Sequence, residues 1–246
     1  MTISSPTSPI VITGGAQRLG LAVAQALRTQ GETVVITYRR ERPELERLRQ
    51  QGVETLHADF GEKQGVEALA ETLKQRFGSL RALIHNASEW LPEGSRESDA
   101  EVLETMMNVH VRAPYLLNLA CGELLLNHGS PEDYADIIHM SDYVASTGSS
   151  KHIAYAASKA ALDNLTLSFA SKYAPTVKVN SIAPALLMFN AGDDQAYRDK
   201  AKKKSLLGIV PGESEGVNAV MYLLQSRYLT GKTIALDGGR HLARAV

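Results

Sequence analysis

Three side chains in this sequence have the types and spacing of a proton-transfer site: Asp142, Tyr155 and Lys159. Tyr155 and Lys159 lie four residues apart in HIAYAASKAALDNLTLSFASK, which is typical of a helix, so both side chains leave the same face. An ammonium group beside a phenol favours the phenolate, so we expect the pKa of Tyr155 to be lowered toward neutral pH. Such pairs are also common on solvent-exposed helix faces, so this pair alone does not define a site.

Asp142 lies thirteen residues before Tyr155, just after the apolar run DIIHMS, which predicts a buried strand. Ligands bind at the strand ends of open α/β sheets. We therefore expect the carboxyl group of Asp142 to lie near Tyr155 and to take part in proton transfer, which a serine could not do by ionising at neutral pH. The alternative is an acid that caps the following loop or helix, which is the commoner use of Asp at a strand end.

The elements that must position these residues begin with a glycine turn. Residues 10–13 predict a strand that runs through TGGAQRLG into a helix over residues 18–29. The N–H groups at the start of such a helix can bind a pyrophosphate, so we expect Gly14, Arg18 and Leu19 to line a dinucleotide site. The turn departs from GxGxxG, because Arg18 takes a place where glycine is usual. A plain connection between strand and helix fits the same residues.

A second predicted strand, residues 33–37, is followed closely by Arg39 and Arg40. An acidic residue at about this distance would bind the ribose 2′-hydroxyl of NAD, whereas arginines suit the 2′-phosphate of NADP. We therefore expect NADPH as the cofactor. Glu41 follows at once, and the two arginines could instead be the solvent-exposed start of the next helix.

Five further strands are predicted, with helices between them. The predicted strands are residues 53–57, 82–85, 136–140, 177–182 and 233–236, and the predicted helices are 63–77, most of 99–127 and 213–226. Several strands are followed by residues that could approach a ligand closely, namely Asp59, Asn86, Ala87, Ser88 and Pro184. We interpret residues 186–212, with their basic run, as a mobile lid. The alternation predicts an α/β fold with one doubly wound parallel sheet of about seven strands, helices on both faces, and a single domain over residues 1–246 with a flexible tail at 1–8.

The single tryptophan, Trp90, follows the predicted strand 82–85 closely. A lone tryptophan most often packs in a core or at a hinge. At the carboxyl edge of the sheet, Trp90 could instead stack on a flat heterocycle.

Composition limits the partners. The 246-residue chain has a net charge of −1, which argues against nucleic acid or an anionic membrane. One cysteine, Cys121, cannot form an internal disulfide, and the N-terminus has no signal-peptide pattern, so we expect a cytoplasmic protein. No stretch approaches the ~20 apolar residues of a membrane span. The scattered histidines and the missing cysteine pairs predict no metal site.

Taken together, TGGAQRLG, Asn86-Ala87, YAASK at 155–159, Pro184 and TGKTIALDGG resemble the short-chain dehydrogenase/reductases from residue 10 to about 240. Within that family the chain is most similar to the pteridine reductases. Those proteins have an aspartate where the family usually has a serine, and Asp142 stands at that place here. Arg18 in the glycine turn and an aromatic residue at the position of Trp90 are further traits of the group.

The resemblance implies a Rossmann-like fold and reduction of a 7,8-dihydropterin, such as dihydromonapterin or dihydrofolate, with hydride added at C6 and a proton at N5. It implies three catalytic residues, Asp142, Tyr155 and Lys159. It assigns NADPH binding to Gly14, Arg18, Leu19, Arg39, Arg40, Asp59, Asn86, Ala87, Ser88, Tyr155, Lys159 and Pro184. It assigns contacts with the pterin or folate to Arg18, Ser88, Trp90, Asp142, Tyr155 and Leu187.

Alternative functions remain open. A carbonyl reductase of the same fold, acting on a 3-oxoacyl thioester or a sugar, would use the same tyrosine and lysine, although Asp142 speaks against it. A non-enzymatic redox sensor that binds NADP is the other alternative. Such proteins can lose the tyrosine and lysine, whereas this chain keeps both. His110 replaces a helix asparagine that supports a proton relay in the wider family. The family commonly forms tetramers or dimers, so we expect a homotetramer or homodimer through helices near residues 104–127 and 153–172.

Overall fold

The structure, a computed structural model, describes residues 8–243. Seven strands form one parallel sheet in the order β3-β2-β1-β4-β5-β6-β7. The strands are β1 (Ile10–Thr13), β2 (Val34–Tyr38), β3 (Glu54–His57), β4 (Ala82–His85), β5 (Ala135–Met140), β6 (Val177–Pro184) and β7 (Thr233–Leu236). The direction of winding reverses between β1 and β4, and a ligand crevice opens at such a point. The predicted doubly wound sheet is confirmed. The predicted tail at 1–8 lies, except for Ser8, outside the described residues.

The strands form where short apolar runs can be covered on both faces. Successive side chains point to opposite faces, so Ile10 and Ile12 pack in one hydrophobic cluster and Val11 packs in the other. The bounds of β1, β4 and β7 are the predicted ones, and the bounds of the other strands differ by one or two residues. The largest difference is at β6, which continues through Pro184 rather than ending at residue 182.

Ten α-helices lie within residues 8–243. They are α1 (Arg18–Thr29), α2 (Pro43–Gln50), α3 (Lys63–Arg76), α4 (Asp99–Met107), α5 (Ala113–Ala120), α6 (Gly122–His128), α7 (Val144–Thr147), α8 (Ile153–Tyr173), α9 (Gln195–Lys202) and α10 (Glu213–Gln225). Helices α1, α2 and α10 contribute buried residues to one face of the sheet, and α3, α5, α6 and α8 to the other. None of these helices is long and apolar enough to cross a membrane.

The segment 99–127, predicted as mostly helical, is interrupted in the middle. Helix α4 ends at Met107, and Asn108–Arg112 form a π-helical turn before α5. Pro114 lies in the first turn of α5, where it has no N–H and its ring would clash with the carbonyl of His110 in a regular helix. A wider π-turn relieves that clash, and such turns often occur at functional sites. Within 186–212 the only helix is α9.

Candidate active site

The carboxyl group of Asp142 and the phenol of Tyr155 meet at the carboxyl edge of the sheet. Asp142 follows β5, and Tyr155 lies in the first turn of α8. The Tyr155 hydroxyl donates to Asp142 Oδ2 at 2.9 Å, while Asp142 Oδ1 accepts from the N–H of Val144 at 2.9 Å. Asp142 therefore binds the first N–H group of α7 and holds the phenol at the same time. The expected position of Asp142 beside Tyr155 is confirmed, whereas its part in proton transfer stays a prediction.

The expected lowering of the Tyr155 pKa is wrong for this arrangement. Burial raises the pKa of Tyr155 well above its ordinary value, and the negative charge of Asp142 raises it further. Lys159 does not offset this, because its ammonium donates to the carbonyl of Met140 at 2.7 Å and lies 5.6 Å from the centre of the phenol ring. The phenol is therefore protonated at neutral pH, as a proton donor must be.

Lys159 is almost fully buried in the same site. Burial lowers its pKa to about 8, and the negative charges of Asp142 and Asp163 partly oppose that shift. Its positive charge is thus lost at a lower pH than that of a lysine in water.

A buried histidine lies directly behind the phenol. The His110 ring meets the Tyr155 ring edge to face, with centroids 5.3 Å apart. Its Nε2 is 2.9 Å from Ser88 Oγ, and its Nδ1 is 2.8 Å from Ser158 Oγ. Burial, and then the charge of Lys159, lower the pKa of His110 well below its usual value, so the ring is neutral. From the sequence, His110 was identified only as the residue that replaces the helix asparagine of the wider family, and Ser158 was not identified.

The glycine turn and the end of β4 hold each other in place. Gly14 has a φ of 68°, and a Cβ at this residue would lie 2.8 Å from the Cα of Ala87. The Asn86 side-chain amide donates to the carbonyls of Gly14, at 2.9 Å, and Thr13, at 3.1 Å. The structure thus brings together Gly14 and the pair Asn86-Ala87, which were predicted from two separate parts of the sequence.

Arg18 also has a positive φ, 50°, the conformation that a glycine at this place would adopt without strain. Its guanidinium donates to Asn190 Oδ1 at 2.7 Å and lies 3.4 Å from the carbonyl of Met188. It therefore joins the glycine turn to the segment after β6. Leu19 and Leu187 are both buried in one apolar cluster there, and their predicted contacts with cofactor and substrate stay predictions.

The arginines after β2 have different surroundings. Arg39 forms an ion pair with Glu89, with 2.8 Å between Nη2 and Oε2. Arg40 is exposed, and no acidic side chain among residues 8–243 lies within ion-pair distance of it.

Asp59 is half-buried and accepts from the N–H of Gly61 at 2.9 Å, which folds the loop after β3. Its predicted contact with adenine stays a prediction.

Trp90 is 61% exposed and stacks on His152, with ring centroids 3.9 Å apart. His152 is the N-cap of α8, three residues before Tyr155. Beside it, Glu93 accepts from the N–H of Ala154 at 2.9 Å. The loop after β4 is thus held on the start of α8. Sequence reasoning missed His152 and Glu93, although a histidine one turn before Tyr155 was an available signal.

The crevice fits the phosphates of a dinucleotide. Gln17, the N-cap of α1, makes no side-chain capping bond, and no acid lies in the first turn. The first N–H groups of α1 can therefore bind an anion. Arg39 and Arg40 supply positive charge at the neighbouring strand end.

The comparison with known families agrees with this geometry. A family model described as Enoyl-(Acyl carrier protein) reductase matches residues 14–241. The chain belongs to the short-chain dehydrogenase/reductase family. The strand order and the helices on both faces are those of this family.

Relatives of this short-chain dehydrogenase/reductase match it over nearly their whole length. It is 53% identical over 239 residues to the dihydromonapterin reductase of Enterobacter sp. (strain 638), which covers 97% of this chain and 99% of that protein. It is 50% identical over 234 residues to the dihydromonapterin reductase of Escherichia coli (strain K12), covering 95% and 97%. Among solved structures, FolM Alternative dihydrofolate reductase 1 from Brucella canis, complexed with NADP, has a TM-score of 0.84 at 28% identity and covers 97% of this chain and 96% of that one.

Proposed function

We propose that this chain reduces a 7,8-dihydropterin with NADPH, adding hydride at C6 and a proton at N5. The observation that carries the proposal is the 2.9 Å hydrogen bond between Tyr155 and Asp142, because reduction of a C=N bond needs a proton at the nitrogen. The relatives named dihydromonapterin reductase support the substrate class. The NADP-bound FolM structure supports the cofactor.

Residues around the crevice would hold NADPH. Gly14, Arg18 and the first turn of α1 would bind its pyrophosphate. Arg40, together with Arg39 once Glu89 releases it, would bind the 2′-phosphate. Lys159 would bind the hydroxyl groups of the nicotinamide ribose. NADPH, when bound, supplies the hydride.

Tyr155 is the proton donor in this mechanism. Its hydroxyl hydrogen is present at neutral pH, because burial and Asp142 raise its pKa. Asp142 orients the hydroxyl, and its carboxyl group can favour the positive charge that develops as N5 gains a proton. Asp142 is half-buried, so it can also return a proton from solvent to the phenol.

The exposed indole of Trp90 would stack on the pterin ring, since large flat heterocycles and aromatic side chains attract each other face to face. Arg18, Ser88 and Leu187 would line the rest of the substrate site. Asp59, Asn86, Ala87, Leu19 and Pro184 would line the cofactor.

One comparison of substrates tests the proposed function. NADPH oxidation is followed with dihydromonapterin, dihydrofolate, dihydrobiopterin and an acetoacetyl thioester. Turnover with at least one dihydropterin, and a much lower kcat/KM for the thioester, is the expected result. Turnover with the thioester alone would instead assign a carbonyl reductase.

We also propose a cytoplasmic homotetramer or homodimer. Exposed apolar side chains lie on the helices expected to form the interface, namely Leu103, Tyr115, Leu119, Leu126 and Leu167. Sedimentation velocity would give the oligomeric state, and Leu167→Glu should shift it toward monomer. A monomer in the unmodified protein would contradict this proposal.

A further inference from the structure

The neighbours of His110 determine which of its ring nitrogens carries hydrogen. The backbone N–H of Glu89 points at Nε2, with 3.2 Å between the nitrogens. A backbone amide can only donate, so Nε2 must accept and carries no hydrogen. Because burial keeps the ring neutral, the hydrogen is on Nδ1.

Ser158, on the other side of the ring, leads to the same tautomer independently. Its hydroxyl donates its single hydrogen to the carbonyl of Tyr155, at 2.7 Å. The 2.8 Å contact between Ser158 Oγ and His110 Nδ1 therefore needs a hydrogen from the histidine. Nδ1–H supplies it.

A bare Nε2 makes the Ser88 hydroxyl a donor to the ring. Ser88 Oγ is 2.9 Å from Nε2, a distance at which two atoms without hydrogen would repel each other. The other acceptor that this hydrogen reaches, the carbonyl of Glu89, is farther away at 3.4 Å. No group among residues 8–243 donates a hydrogen bond to Ser88 Oγ. Ser88 also lies within hydrogen-bond reach of the Tyr155 phenol and opposes the rise of its pKa. Because the Tyr155 hydroxyl donates its hydrogen to Asp142 Oδ2, that hydrogen does not occupy the lone pairs of Ser88 Oγ on this side.

We propose that His110 makes Ser88 an obligate hydrogen-bond acceptor for a ring N–H of the substrate, and that the site thereby favours pterins over carbonyl compounds. The identity of the substrate rests on the proposed function. A dihydropterin carries N–H donors at N3, N8 and its 2-amino group. The oxygen of a ketone needs a donor instead, which Ser88 in this orientation cannot supply.

His110 is thus a positioning residue that acts through Ser88. The π-turn at Asn108–Arg112 directs its ring between the end of β4 and α8, where it contacts both Ser88 and Ser158. Only a side chain with an acceptor on one edge and a donor on the other satisfies both serines and the Glu89 N–H.

The tautomer can be measured without any substrate, so this test is independent of the proposed function. Protein labelled with ¹⁵N in its histidines is studied by NMR near pH 7, and the His110 signals are assigned by their loss in His110→Asn. We expect a protonated Nδ1 and a bare Nε2. Ser88→Ala should shift the Nε2 signal of His110 but not the signals of His139, a buried histidine bonded to Asn118 and Thr166. Hydrogen on Nε2 would overturn the inference.

Kinetics test what the orientation of Ser88 does. Ser88→Ala should raise the KM for the dihydropterin roughly tenfold, with kcat changed much less, because one substrate hydrogen bond is lost. His110→Phe should raise KM by a similar factor, and the double variant should be no worse than either single variant. Losses that multiply in the double variant, or a His110→Phe effect on kcat alone, would contradict the inference.

Two further variants separate positioning from folding. In His110→Gln the N–H of Glu89 favours the orientation in which the glutamine side-chain oxygen accepts a hydrogen bond. Ser88 then still has an acceptor for its hydroxyl hydrogen. The KM for the dihydropterin should therefore stay near that of the unmodified protein. A KM raised as far as in Ser88→Ala would count against the proposed role. His139→Gln is the matched control, and it should leave the KM for the dihydropterin unchanged.

Discussion

The indole of Trp90 stacks on the imidazole of His152, with ring centroids 3.9 Å apart and ring planes 25° from parallel. Trp90 belongs to the loop after β4, whereas His152 begins the helix that carries Tyr155. The stack therefore holds the exposed aromatic surface of the proposed substrate site on the same helix as Tyr155, the proposed proton donor. A pterin that stacked on this indole would be positioned relative to Tyr155.

Trp90→Ala should raise the KM for a dihydropterin roughly tenfold while kcat changes less, because stacking and apolar contact area are lost. Trp90→Phe should keep most of the affinity. Since Trp90 is the single tryptophan, its fluorescence should also be quenched when a pterin binds. Unchanged fluorescence in a protein shown by dialysis to bind the pterin would rule out this stacking.

Arg40 should contribute more than Arg39 to the preference for NADPH. Arg39 is already paired with Glu89 at 2.8 Å, whereas Arg40 is exposed. Arg40→Ala should lower the ratio of kcat/KM for NADPH to that for NADH about tenfold, because a contact with the 2′-phosphate is lost. Arg39→Ala should lower this ratio less. Arg47→Ala, on α2, is the control for general loss of positive charge. A ratio unchanged in both variants would place the 2′-phosphate elsewhere.

Stability should fall as the pH falls from about 6.5 toward 4. Burial lowers the pKa of His85 to about 4, and it lowers those of His110 and His139 as well. Below pH 6.5 these histidines bind protons in the unfolded chain but not in the folded one, so unfolding becomes more favourable as pH decreases. For His85 alone the difference reaches roughly 3 kcal/mol at pH 4.

Chemical denaturation at several pH values measures this dependence. The free energy of unfolding should decrease steadily over that range, and His139→Gln, with one buried histidine fewer, should show a shallower slope. Equal slopes for this variant and the unmodified protein would show that His139 is protonated in the folded state.

Affinity for NADPH should weaken as the pH rises through about 8. Burial lowers the pKa of Lys159 to about that value, so its positive charge, which we propose binds the ribose, is lost there. Lys159→Arg keeps its charge and should show no step near pH 8. The dissociation constant, measured by titration at each pH, would contradict the proposed contact if it stayed constant in the unmodified protein.

Most of the sheet could be predicted because parallel strands are buried on both faces and so consist of short apolar runs. The π-turn at Asn108–Arg112 was not predicted, because the apolar stripe continues across it and only the clash between Pro114 and the His110 carbonyl interrupts the helix. The contact of Asp142 with Tyr155 was predicted from a strand end and a helix face. The direction of the Tyr155 pKa was not, because it depends on burial, which spacing does not reveal.

The contacts made by loops were the hardest to predict. Arg18 with Asn190, Trp90 with His152 and Glu93 with Ala154 join segments that are distant in the sequence, and no periodic pattern links them. Arg18 itself was noted as an exception in the glycine turn, and its φ of 50° shows that it adopts the glycine-like conformation despite its side chain.

The central claim is that Asp142 and Tyr155 together protonate the substrate, and Asp142→Asn tests it most directly. The asparagine oxygen can still accept from the Val144 N–H, so the fold should persist, but the charge beside the phenol is lost. Asp133 is an exposed acid that lies just before the start of β5, whereas Asp142 follows the end of that strand. Asp133→Asn is therefore the matched control. The measurement is kcat for dihydropterin reduction at saturating NADPH, with the dissociation constant of NADPH determined alongside. We predict that kcat falls by roughly two orders of magnitude or more in Asp142→Asn while NADPH affinity stays near normal, and full activity in that variant would contradict the account.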